Sequence, residues 1–160
     1  RIAPGTVVSD PVHHFDLFPT FAAAGGVALP SDRTLDGVDL LPFVRGEASG
    51  APHRTLFWRE GYQQAVLHDG WKLIRADQPD QPAGTGQKKW LFNLAADPTE
   101  QENLAAQLPD KVAALEALLA AHNAEQAQPM WPSVVQNPQL IDKPGGVPYA
   151  QGDEYIYWPN

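Results

Sequence analysis

The chain has 160 residues and a mass of 17.4 kDa, room for one ordinary domain. Eleven Lys and Arg against nineteen Asp and Glu leave a net charge of −8 and a pI near 4.9, which excludes the basic face that nucleic acid or an anionic membrane surface requires. No apolar run approaches the ~18 residues of a spanning helix, and the absence of cysteine excludes a disulfide framework, a thiolate metal site and a cysteine nucleophile.

Thirteen Gly and sixteen Pro predict short elements and many turns. Arg1 is followed by no apolar leader core, so the sequence reads as a piece of a longer product. Asp16 to Gly25 predicts a short helix, with Asp16 as N-cap, Pro19 in the first turn and Gly25-Gly26 as the stop. The device recurs from Asp39 to Gly46, giving two helices of about two turns. Asp36-Gly37 marks a turn between them.

Strands follow at Thr55–Arg59 and Gln64–His68, and Asp69-Gly70 supplies a two-residue turn into Trp71–Arg75. That turn pairs His68 with Trp71, Val66 with Leu73 and Gln64 with Arg75 on one side. Leu67/Lys72 and Ala65/Ile74 pair on the other, and Ala65, Leu67 and Ile74 mark the expected core face. Residues 77–88 are polar and loop-forming, and Trp90–Leu94 predicts a fourth strand closing an antiparallel sheet. From Pro109 to about Gln126 a helix is expected, with Val112, Leu115, Leu118, Leu119 and His122 on the stripe that packs on the sheet. The segment 127–160, rich in Pro and Gly, is expected to form an irregular tail.

Searching for chemistry returns little. No phosphate-binding glycine loop, nucleophile elbow or His-Glu-x-x-His is present. Ser9, Asp10, His13, His14 and Asp16 form the densest cluster of potential ligands, and a strand-to-helix corner with one packed histidine accounts for it better than a metal does. His53 and Arg54 offer an anion-binding pair. Trp58, Arg59, Glu60 and Tyr62 offer a surface on which a sugar or aromatic group can stack, although aromatics at a hairpin more often serve core or rim. Bottom-up, the chain is a small α+β unit with no catalytic and no metal-binding residues of its own.

Six segments taken in order add a family reading. Pro4-Gly5, Asp16-Leu17-Phe18-Pro19-Thr20 with Ala24-Gly25, Leu35-Asp36-Gly37-Val38-Asp39-Leu40-Leu41-Pro42, His53-Arg54-Thr55-Leu56-Phe57-Trp58, Asp69-Gly70-Trp71-Lys72-Leu73-Ile74, and Leu91-Phe92-Asn93-Leu94 through Asp97-Pro98-Thr99-Glu100 to Asn103-Leu104-Ala105 resemble the carboxy-terminal part of the formylglycine-dependent sulfatases, within the alkaline-phosphatase-like superfamily. The resemblance covers residues 4 to about 122.

It implies a small antiparallel sheet with one long helix over 47–126, preceded over 1–46 by the edge of a large α/β domain. It also implies an upstream catalytic domain carrying formylglycine and a divalent metal such as calcium, with a sulfate ester as substrate. None of those reacting groups maps onto this chain, so no cofactor is assigned to it and it is expected to be inactive alone. His53, Arg54, Trp58, Arg59 and Tyr62 are the candidates for lining the substrate cleft. The alternatives are a non-catalytic interaction or carbohydrate-binding module, and the same portion of a phosphoester or phosphonate hydrolase. Relatives are often exported, which would make the longer protein periplasmic or secreted.

Overall fold

A computed structural model describes residues 2–60, 63–76, 88–127 and 130, together with the backbone of 136–140 and 155–159. It divides into two compact units, Arg1–Arg54 and Thr55–Asn160.

The first unit is built on a helical corner. A 3₁₀ turn, His14–Asp16, runs into α1, Leu17–Ala24, in which Pro19 is buried in the first turn as its missing N–H allows. Asp16 occupies the expected N-cap position of α1, but its side chain makes no capping bond to α1; it is completely buried and instead closes a capping box on the His13 N–H of the preceding 3₁₀ turn. Helix α2, Leu41–Val44, is one turn where two were expected; its N-cap is Leu40, and Asp39, one residue before it, accepts the Leu41 N–H on Oδ1 at 2.9 Å. Gly46 at φ +73° then ends the helix.

The second unit carries the expected four-stranded antiparallel sheet in sequence order: β1 Thr55–Glu60, β2 Gln63–His68, β3 Trp71–Ala76 and β4 Lys88–Asn93. Asp69 and Gly70 both take positive φ, +48° and +78°, the two-residue turn whose twist matches the strands it joins. The register is therefore the one the turn dictates, with His68 opposite Trp71 and Val66 opposite Leu73.

Helix α3, Pro109–Glu125, lies on one face, and its Val112, Leu115 and Leu119 close with Val66, Leu73 and Leu91 into the core. Helix α3 thus covers the face opposite to the one expected, where Val66 and Leu73 are fully buried; on the expected face Leu67 is buried as well, Ala65 is partly buried, and Ile74 packs on a second cluster of Ala76, Trp90 and Phe92. One helix covers just the central strip of a sheet. The polar residues along that strip sit at its margins and bond there, Arg75 Nη2 and Asn123 Nδ2 both donating to Gln64 Oε1 at 2.8 and 2.9 Å. His122, half-buried, stacks flat on Phe57 with ring centroids 4.1 Å apart.

The outer edge of β4 is covered by side-chain mimicry of a strand. Asn103 Oδ1 accepts the Leu91 N–H at 3.0 Å, its Nδ2 donates to the Lys89 carbonyl at 3.1 Å, and the Leu104 N–H donates to the Leu91 carbonyl at 2.8 Å. The segment expected to be irregular holds a second pairing, β5 Gln136–Leu140 antiparallel to β6 Tyr155–Pro159. A proline inside β5 hides this strand from sequence reading, yet a two-stranded sheet has only edges, where the missing N–H is tolerated.

Candidate functional site

Two places gather functional side chains, one in each unit. In the first, Asp16 has no exposed surface and accepts three hydrogen bonds, one from its own turn and two from distant segments: the His13 N–H at 2.8 Å, the Val38 N–H at 2.9 Å and His53 Nε2 at 2.7 Å. One turn further on, the Thr20 hydroxyl donates to the Asp16 carbonyl at 2.6 Å and accepts the Leu40 N–H at 3.0 Å. Residues four apart share a helix face, so Asp16 and Thr20 together grip alternate amides of the passing 38–40 segment. Gly37 makes the crossing feasible: a Cβ there would stand 2.3 Å from the Phe15 carbonyl oxygen.

Burial alone would raise the Asp16 carboxyl, but the donors His13, Val38 and His53 more than offset it and hold the group below the ordinary carboxylate range. His13 is held below the ordinary histidine range, first by burial and then by its neighbours His14 and His53, with Asp16 pulling the other way. His53 packs edge-on against Phe15, centroids 5.6 Å apart. A carboxylate without exposed surface cannot touch a substrate, so this Asp–His pair ties segments together.

The second place is a trough of about 370 Å³ on the helix-free face of the sheet. Trp58, Ala65 and Ile74 stand in register across β1, β2 and β3, and with Leu67 and Leu94 they make an apolar floor. Glu60, Gln63 and Lys72 supply a polar rim, Lys72 Nζ meeting Glu100 Oε1 at 2.7 Å. Trp58 keeps 38% of its surface exposed, as a stacking platform requires.

The residues singled out in the sequence have different surroundings. His53 is engaged by Asp16, and Arg54 is exposed. Trp58 faces the trough. Arg59, its neighbour in β1, projects from the other face by strand alternation and donates from Nη2 to the Ala127 carbonyl at 3.0 Å. Tyr62 lies outside the described residues. Sequence reasoning missed the trough's Lys72, Ile74 and Leu94, whose common signal was their place on the face opposite the helix stripe. Among the described residues no three His, Asp or Glu side chains converge as a metal-binding set, and no cysteine is available for oxidation to formylglycine.

The fold, a four-stranded antiparallel sheet with one long helix after short helical segments, is that of alkaline-phosphatase-like sulfatases. The chain belongs to the sulfatase family, and what it matches there fits a carboxy-terminal portion. Mouse steryl-sulfatase is 34% identical over 153 residues, which is 80% of this chain and 24% of the relative. Bovine arylsulfatase A is 33% identical over 145 residues, 78% of this chain and 28% of the relative. Among solved structures, Ps i-CgsB crystallised with k-i-k-neocarrahexaose superposes with a TM-score of 0.58 at 26% identity, over 81% of this chain and 29% of that one. No family model matches. The chain spans about a quarter of the length of the curated relatives it matches.

Proposed function

We propose that this chain is the carboxy-terminal portion of a sulfuric ester hydrolase, that it supports a catalytic portion carrying the formylglycine and the divalent metal, and that it is inactive alone. The observation that carries the proposal is the trough under Trp58. It offers an apolar floor for the carbon face of a ring and a rim of Glu60, Gln63 and Lys72 for hydroxyl and sulfate oxygens, the mixed lining that ligand sites use. The neocarrahexaose in complex with one structural relative supports a saccharide as the class of ligand. Trp58 is the wall residue of this reading; Arg54, which has no place in the trough, and Tyr62, which lies outside the described residues, stand as sequence candidates for the cleft. His53 and Arg59 hold the chain together, through Asp16 and the Ala127 carbonyl respectively.

The test compares the 160-residue chain with the longer gene product that contains it, using p-nitrophenyl sulfate and a sulfated oligosaccharide. The longer product is expected to hydrolyse sulfate esters and the chain alone to show none. Trp58→Ala in the longer product should raise KM for the oligosaccharide several-fold, and Arg59→Ala should have a KM close to wild type. Oligosaccharide binding without hydrolysis by the longer product would replace the enzyme with a binding module. Faster cleavage of a phosphoester or phosphonate would reassign the bond. Unchanged kinetics in Trp58→Ala would remove the trough.

A further inference from the structure

Three of the five histidines in the sequence, His13, His14 and His53, surround one fully buried carboxylate. The His13 ring lies 4.2 Å from His14 and 4.0 Å from Phe15, Phe15 packs on His53, and His53 Nε2 sits 2.7 Å from Asp16 Oδ1. Of the elements packed here, α1 carries no charged residue and α2 has only Arg45, at its carboxyl end. Asp36 and Asp39 flank the crossing at Val38, and Arg54 follows His53. A proton on His13 would place a positive charge in the ring stack it forms with His14 and Phe15, within the partly buried surroundings of the corner.

We propose that this corner is an acid-sensitive clasp, closed near neutral pH and released as the His13 imidazole, stacked between His14 and Phe15, gains a proton, which frees the 38–40 segment from the grip of Asp16 and Thr20. The signs agree. His13 is held below its ordinary value in the folded chain, so below about pH 6.5 the unfolded chain binds the extra proton first and stability falls as pH falls through that window. Asp16 is held below the carboxylate range, so its stabilisation is full above about pH 4 and is lost as pH falls through the lowered value. An imidazolium at His53 would attract the Asp16 carboxylate, which assigns the first release to His13. The proposal is independent of any hydrolase activity.

Residue-resolved hydrogen exchange on the 160-residue chain at roughly pH 7.5 and pH 5.0, corrected for intrinsic rates, tests it. Protection of the Val38 and Leu40 amides should fall ~3-fold or more at the lower pH, while the Val66 and Leu73 amides keep theirs. His13→Gln retains the backbone N–H to Asp16 and cannot titrate, and His13→Phe retains the stacking on Phe15. Both should hold the protection constant between the two pH values. Equal protection of Val38 at both pH values in the wild type would overturn the clasp, and so would an undiminished pH response in both variants.

Discussion

Gly37 shows how a single residue governs the first unit. Its Cβ position is filled by the Phe15 carbonyl oxygen at 2.3 Å, which is backbone and cannot swing aside as a side chain would. Gly37→Ala must therefore push the 37–38 crossing off the corner and break the Val38 N–H bond to Asp16. A cost on the order of 3 kcal/mol is expected, at the upper end for overpacking. Every Trp and Tyr of the sequence lies beyond Thr55, so fluorescence would not register this loss; exchange at the Val38 and Leu40 amides would. Protection equal to wild type would show that the crossing can re-route. The Asp16 grip was only half legible in sequence. An acid before a short helix signals a cap, and the turn that buries it depends on the packing of Phe15 and His53, residues 37 apart in the latter case.

At the scale of elements, the Asp69-Gly70 turn was legible because two consecutive positive-φ residues are a local chemical fact. The α3 stripe was legible because its period is local too. Which sheet face receives that stripe was not: both faces of the hairpin carry apolar residues, and the choice is settled by where a helix 40 residues downstream docks. The edge of β4 likewise depends on a non-local partner. Asn103→Ala would leave the buried Leu91 N–H and the Lys89 carbonyl without their side-chain partner. A loss of about 1–3 kcal/mol is expected, read as a lower urea midpoint of tryptophan fluorescence. A midpoint unchanged from wild type would mean that the Leu104 N–H bond to Leu91 suffices by itself.

For the whole molecule, the balance of nineteen acids against eleven bases places the neutral point near pH 4.9, where repulsion between copies vanishes. Leu17, Phe18 and Phe21 on α1 are 48%, 55% and 67% exposed, a surface through which uncharged molecules would associate. Turbidity should peak near that pH, and Phe21→Ser should lower the peak. A peak of the same height would place the contact elsewhere. By itself the sequence determined the net charge, the strand order, the turn-set register, the long helix and the family, because each rests on local propensity or on motifs read in order. Only the tertiary structure decided that Trp58 and Arg59 face opposite ways, that the Asp16 side chain is a buried tie rather than a cap of α1, and that the usable trough lies on the face the helix leaves uncovered. Those depend on which surfaces meet, and side-chain burial is a property of the packed chain, not of any segment within it.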